Sequence, residues 1–330
     1  MSAQQLIITE ENFLPPAWAR NCHTQSLLGT LKFRKPILLK KSKDLLAQSR
    51  ELILEAHDDI RLQSFYSPQT NPSNKLVILL HGWEGSHESL YLLSAANSLF
   101  QAGYDVLRLN LRDHGTSHHL NQELFHSNRL QEVIEAIKSA QDKLNPTSID
   151  MVGFSLGGNF TCRVAVEAPQ NNIKLQKAVA ICPAINPIDI LHQLESGLSF
   201  YHDYFVKKWK RSLRKKENYF PGAYDFSDIY PMKSMRVMTE RLLELFGDYE
   251  SPEDYFNGYS LSGKRMASLE VPTTILMTKD DPVINYQDTF SLVQNSYLKI
   301  HASQYGGHCG FIKNAKLQSW ADDFILSQID

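Results

Sequence analysis

The sequence predicts an α/β fold: a mostly parallel central sheet flanked by helices, with one long helical lid inserted between two strands. Three observations carry this. Short apolar runs at 75–80, 104–109, 176–182 and 273–278 read as strands buried on both faces, which is the pattern of a parallel sheet covered by helices. Helical periodicity separates several of them. From 184 to 268 the pattern turns aromatic, charged and irregular, without a parallel-sheet strand.

Size and composition bound the reading further. The chain has 330 residues, 42% of them hydrophobic, enough for one sizeable core with an inserted unit. A formal net charge of -2 gives no electrostatic case for a nucleic-acid partner. The cysteines Cys22, Cys162, Cys182 and Cys309 are scattered. They suit a reducing, cytoplasmic setting and not a disulfide framework or a zinc site. The start MSAQQLIITEEN lacks a basic region followed by an apolar core, so a signal peptide is not expected. No run of about 18 apolar residues predicts a membrane span.

Residues 1–49 read as an N-terminal extension packed on the core. Pro15 and Pro16 break any long helix, and Phe13, Leu14, Trp18, Leu27 and Leu28 can dock the arm. Residues 32–43 hold six Lys or Arg and predict a solvated stretch. The core's first part spans 50–183. Two strands, Glu51–Ala56 and Ile60–Tyr66, flank a turn at His57-Asp58-Asp59. A polar loop, 68–74, leads to the strand Lys75–Leu80. Glu88–Gln101 predicts a helix and Tyr104–Leu109 a strand. Leu130, Val133, Ile134, Ile137 and Leu144 mark a helix over Phe125–Leu144. The lid occupies 184–268, and the core's second part 269–330. There Thr273–Thr278 and Tyr297–His301 predict strands, and Gln287–Gln294 and Ala315–Ser327 predict helices.

One stretch carries chemistry. Ser148–Val152 has strand character, and Gly153-Phe154-Ser155-Leu156-Gly157 follows with the G-x-S-x-G pattern of a nucleophile elbow. A serine at the tip of so sharp a turn is crowded by strand and helix, and glycines two residues away on each side relieve the clash. The turn also puts the Leu156 N–H at a helix N-terminus, facing a developing oxyanion. The pattern is short enough to arise by chance, so its partners decide.

A serine hydroxyl needs a base, and the base needs an anionic orienter. Ser155, Asp281 and His308 follow one another in the chain order this elbow requires. Each follows a predicted strand, so all three fall at one sheet edge. His308 is singled out among twelve histidines by its late loop and the flanking Gly306, Gly307 and Gly310, read as giving that loop freedom. Asp280 is adjacent to Asp281 and is the second choice of acid. After strand 75–80, His81-Gly82 makes a bend from which the Trp83 N–H can be a second oxyanion donor, with His81 structural. His114 and His118 are four apart, but Gly115 argues against the helix that would align them on a metal. No metal and no cofactor is expected.

These residues resemble the α/β-hydrolase superfamily over essentially 50–330. More narrowly the chain is similar to its YheT/EMB8-like branch, which includes ABHD1/ABHD3-type hydrolases and yeast medium-chain ethyl-ester synthases. The narrower resemblance rests on FLPPAWARNCHTQSLLGTL, HGWEGS at 81–86, the LNLRDHG run, GFSLGGN at 153–159, DDPV at 280–283 and GGHCGF at 306–311. It implies an α/β-hydrolase fold and a Ser155–Asp281–His308 triad with Trp83 and Leu156 as oxyanion donors. It also implies hydrolysis of short- or medium-chain carboxylic esters, or acyl transfer to an alcohol through the same serine.

The expectation is therefore a serine esterase acting on a small-molecule ester, with Phe200, Tyr204 and Phe205 as pocket candidates. Peripheral membrane contact through the basic stretch 207–216 stays open, as does oligomeric state. A non-catalytic binding protein and a peptidase are the rival readings.

Overall fold

The computed structural model describes residues 6–31, 33–71, 74–247 and 249–330. Lys32, Pro72 and Ser73 of the loop at 68–74, Asp248 and the first five residues lie outside that set. The extension begins with β1 (Ile8–Glu11), then α1 (Cys22–Thr30), α2 (Arg34–Lys41) and α3 (Lys43–Gln48). There follow β2 (Arg50–Glu55), β3 (Arg61–Ser67), β4 (Lys75–Leu80), α4 (Leu90–Gln101) and β5 (Asp105–Leu109). Next come α5 (Leu130–Leu144), β6 (Ser148–Phe154), α6 (Leu156–Glu167) and β7 (Leu175–Ile181). Among the described residues four helices then precede the next strand: α7 (Pro187–Ser196), α8 (Ser199–Tyr219), α9 (Met235–Phe246) and α10 (Pro252–Tyr259). β8 (Thr273–Thr278), β9 (Leu298–Ser303) and α11 (Trp320–Ile329) close the chain.

Among the described residues nine strands form one sheet in the order β1-β9-β8-β7-β6-β4-β5-β3-β2. Only the β2–β3 and β3–β5 pairs are antiparallel. The alternation of β4 explains why its run is apolar throughout. Leu76, Ile78 and Leu80 enter the core beneath α5 and α6, and Val77 and Leu79 enter the core beneath α4 and α11. Each such fully buried side chain contributes roughly 1.5–3 kcal/mol. The first core continues into α7–α10 through Leu191, Leu194, Met238 and Leu242. The second takes in Leu38 and Leu45 of the extension.

Several elements differ from the pattern. β1 adds a parallel edge strand on β9 that four residues, Ile-Thr-Glu-Glu, are too few to announce. The basic stretch is not wholly solvated. It contains α2, and Arg34 is buried there, with its guanidinium on Leu317 O, Gly29 O and Ser94 Oγ. α5 starts at Leu130 and not at Phe125: residues 126–130 form turns first, with the Arg129 N–H on His126 O and the Leu130 N–H on Asn128 O. The helix expected at 287–294 is reduced to a short 3₁₀ turn at Tyr286–Ser291. α11 starts at Trp320 because residues 312–319 fold back on themselves, with Lys313 N–H donating to Gln318 O.

Two buried ion pairs organise the Asn110–Gly115 run. Arg112 meets Glu132 of α5 at 2.7 Å. Asp113, at φ 57°, meets Lys216 of α8 at 2.6 Å and so ties the inserted helices to the end of β5. Lys216 also donates to Asn121 O, so one of the seven basic residues at 207–216 is an internal anchor.

Candidate functional site

Ser155 stands between β6 and α6 at φ 54° and ψ −120°, a backbone strain on the order of 1–3 kcal/mol held by the surrounding contacts. Its N–H donates to Ile181 O. The two flanking glycines are sterically required. A Cβ on Gly153 would lie 2.1 Å from Gly157 O, and one on Gly157 would lie 2.4 Å from Leu80 O. The motif's glycines therefore let α6 settle against β6 and β4, which is what aims the serine out of the sheet edge.

His308 Nε2 lies 3.0 Å from Ser155 Oγ, and its Nδ1 lies 2.8 Å from Asp281 Oδ2. Asp281 is buried, and its Oδ1 accepts the Val283 and Ile284 N–H groups. That turn orients the carboxylate so that only Oδ2 faces the ring. Asp280 points elsewhere: its Oδ1 accepts the Gly307 N–H at 2.9 Å, holding the histidine loop from below. Burial pulls the His308 imidazole down, but the Asp281 carboxylate and Cys309 outweigh it, and the ring is pushed up to about 9.

Further residues that hold the His308 loop were not among the sequence candidates. They sit on α1. Ser26 Oγ accepts the His308 N–H at 2.8 Å and donates to Cys22 O. Gln25 is fully buried, accepts the Ile312 N–H and donates to Ile312 O and Ala19 O. The loop glycines serve this packing and not loop freedom. A Cβ on Gly307 would lie 2.3 Å from Cys22 O, and one on Gly310 would lie 2.3 Å from Gln25 O. The one signal was a pair of polar residues, Gln25-Ser26, inside an otherwise docking segment. Phe13 does dock, stacking on Trp320, but Leu14 and Trp18 are exposed.

On the other side of Ser155, the end of β4 supplies the bend. His81 Nδ1–H donates to Gly82 O and Nε2 accepts the Leu111 N–H. Burial, with His114 beside it, drives its pKa well below the usual histidine value, so it is a neutral structural ring. A Cβ on Gly82 would lie 3.1 Å from Ser155 Cβ, which shows how closely this loop passes the serine. Leu156 is the first residue of α6, so its N–H has no acceptor within the helix. His114 donates to Arg112 O and His118 pairs with Ser212 Oγ, so both serve the loop. Among the described residues no group of three His, Cys, Asp or Glu is disposed to hold a metal ion.

Two cavities meet at Ser155. One, of about 920 Å³, runs between the Gly82–Leu90 loop, the Asp113–His118 loop and α8. The other, of about 110 Å³, is apolar and runs under α7, α9 and α10, past Leu191, Leu194, Met235, Phe246 and Phe256. Trp83 and Phe205 border both, stacked at 5.4 Å and 15°, with Trp209 edge-on to Trp83 at 5.3 Å. Of the pocket candidates, Phe205 therefore lines both spaces and Tyr204 lines the larger one. Phe200 is 54% exposed and lines neither: at the first turn of α8 it stands outside the cleft. Thr30 and Lys35 bring the extension to the rim of the larger cavity.

Residues 75–315 match the family described as alpha/beta hydrolase fold. YheT of Escherichia coli (strain K12) is 23% identical over 322 residues, covering 95% of this chain and 91% of that protein. Phospholipase ABHD3 of Homo sapiens is 21% identical over 316 residues, covering 93% of this chain and 75% of its own. Among solved structures, the esterase Pf2001 of Pyrococcus furiosus matches with a TM-score of 0.58 at 18% identity, over 88% of this chain and 94% of that one. That last likeness concerns the fold alone.

Proposed function

The chain belongs to the alpha/beta-hydrolase-fold family, and from that premise we propose that it is a serine hydrolase of carboxylic esters with short or medium acyl chains. The single observation that carries the reading is the spacing of Ser155 Oγ, His308 and Asp281, at 3.0 and 2.8 Å. Ser155 Oγ attacks the ester carbonyl while His308 Nε2 takes its proton. Asp281 holds the ring by Nδ1 and stabilises its cation. The Trp83 and Leu156 N–H groups receive the oxyanion, each donor contributing roughly 3 kcal/mol to lowering the barrier. The bond to the leaving alcohol breaks as His308 returns the proton to it. Water, deprotonated by the same histidine, then releases the acid and restores Ser155.

The acyl chain occupies the apolar cavity, and its small volume of about 110 Å³ favours the short end of that range. α7–α10 act as the lid that excludes water from the acyl-enzyme. The free state of all four cysteines suits a reducing compartment. Among the described residues no helix is long and apolar enough to cross a membrane. YheT-like and phospholipase-like relatives, at 23% and 21% identity, support ester chemistry without naming this chain's substrate.

Hydrolysis of p-nitrophenyl esters from about two to twelve carbons, with Ser155→Ala as control, tests the proposal. Turnover lost in the variant supports it. Absence of any acyl-enzyme with activated esters overturns it. Ethyl ester formed in the presence of ethanol would redirect it to acyl transfer.

A further inference from the structure

The larger cavity at Ser155 is lined by one face of α8. Tyr204, Phe205, Lys208, Arg211, Ser212 and Lys215 all face it, the spacing of a single helical stripe. The stripe changes character along its length. Its aromatic end borders the apolar cavity, and its far end is cationic.

Those cations are not consumed by internal ion pairs. Lys208 Nζ donates to Glu84 O and Lys215 Nζ to Gly115 O at 3.0 Å, both backbone carbonyls. Among the described residues none of Lys208, Arg211 and Lys215 forms a salt bridge, whereas the buried Lys216 and Arg112 each have a carboxylate at 2.6 to 2.7 Å. Unlike Lys216 and Arg112, these three have no carboxylate partner among the described residues: Lys208 and Lys215 rest on backbone carbonyls, Lys208 also lies over the Tyr204 ring, and Arg211 is exposed. Three acids line the same cavity. Asp113 is spent on Lys216. Glu88 lies exposed at the rim. Burial pushes the Glu84 carboxyl up to about 7, against the pull of Lys208 and Lys215, so it opposes the three cations with less than a full charge near neutrality. The cavity's far end carries a net positive charge in a partly desolvated cleft, where charge-assisted hydrogen bonds to an anion are strongest.

We propose that Lys208, Arg211 and Lys215 form an anion subsite on the leaving-group side of Ser155, so that the preferred esters carry a phosphate or carboxylate on the leaving alcohol. This rests on the esterase reading: the acyl chain lies beyond the Trp83–Phe205 stack, the carbonyl at Ser155, and the alcohol runs along α8 to the cations. The reaction is ordinary hydrolysis, in which water and the ester give the fatty acid and the anionic alcohol.

The test compares kcat/KM for three butanoyl esters: butanoyl glycerol, butanoyl glycerol 3-phosphate and a butanoyl ester of glyceric acid. The expected result is a preference of about tenfold or more for the anionic esters, expressed in KM and declining with salt. The phosphate and glycerate arms identify which anion the subsite takes, and inorganic phosphate should compete if phosphate itself is the recognised group. Arg211→Gln with Lys215→Gln should collapse the preference, whereas Lys207→Gln, an exposed cation outside the cavity, should leave it intact. A neutral ester cleaved as well as both anionic ones, or a preference that survives the double variant, overturns the subsite. Binding of the same esters to Ser155→Ala separates the two readings. Unaltered enzyme that turns over none of the esters, while Ser155→Ala still binds the phosphate ester through Arg211 and Lys215, overturns the esterase alone, and equal binding of neutral and anionic esters overturns the subsite.

Discussion

The Ser26 hydroxyl accepts the His308 N–H at 2.8 Å, and through that bond the N-terminal helix α1 holds the loop that carries the imidazole. The two residues are 282 positions apart in the chain. Ser26→Ala leaves the His308 amide without its partner, a cost of about 1–3 kcal/mol for a buried donor. We expect kcat for an activated ester to fall about tenfold with little change in KM, because the ring loses its position and the substrate cavities are untouched. A fall in KM-dependent binding with kcat preserved would contradict this role.

Gly307→Ala attacks the same junction from the other side. The residue has φ 53°, and a Cβ would lie 2.3 Å from Cys22 O. The loop must separate from α1, so thermal unfolding should show a loss on the order of 2 kcal/mol or more, with activity lost below the melting temperature. Gly103→Ala, at a positive φ with open space around it, is the control for backbone strain alone and should cost stability without costing activity.

The pH profile follows from His308. The base must be neutral to accept the serine proton, and its pKa is raised above the ordinary histidine value to about 9. kcat/KM should therefore rise with pH across the neutral to mildly alkaline range and not level off near 6.5. Asp281→Asn removes the carboxylate that raises it. The limb should move to lower pH while the plateau falls by about 10⁴-fold. Asp280→Asn should leave the limb's position close to that of the unaltered enzyme, since Asp280 binds the Gly307 N–H and not the ring.

Glu132→Ala leaves the buried Arg112 without the carboxylate 2.7 Å away and with only the exposed Glu123 carboxylate, at 3.0 Å, as an acid partner. Removal of one partner from such a pair costs roughly 3–5 kcal/mol. Urea unfolding should show a lower midpoint at unchanged slope. Glu244→Ala, whose pair with Arg241 is on the surface with Glu244 75% exposed, should change stability by less than about 0.5 kcal/mol.

Acyl length preference should respond to the apolar cavity. Leu194→Trp adds volume where the cavity passes α7. The optimum in a series of p-nitrophenyl esters should shift to shorter chains, each excluded methylene being worth about 1 kcal/mol in kcat/KM.

Much of this was legible locally. The apolar runs of β4, β5, β7 and β8 announce strands covered on both faces, and the glycines at 153 and 157 mark the Ser155 turn once Asp281 and His308 follow in order. The late glycine-flanked His308 was legible for a related reason, although its glycines turn out to serve contact with α1. What escaped was long-range. β1 is too short to show a period, and it exists because β9 offers an edge. The 287–294 stretch has helical composition, but its backbone makes only a short 3₁₀ turn. Arg34 looked solvated in a basic stretch because only the packed fold supplies Leu317 O, Gly29 O and Ser94 Oγ to its guanidinium.

By itself the sequence determined the layered α/β architecture, the strained serine between β6 and α6, and the order of serine, acid and base. The first two follow from side-chain periodicity and backbone sterics within about ten residues, and the third from the order of motifs along the chain. Only the tertiary structure decided that Asp281 and not Asp280 faces the imidazole, that α1 holds His308, and that α8 divides the cleft into an apolar and a cationic side. Those outcomes depend on where atoms far apart in the chain come to rest. A carboxylate two bonds from the backbone is aimed by the turn that its other oxygen caps, and a helix face acquires its role only from the cavity it is packed against.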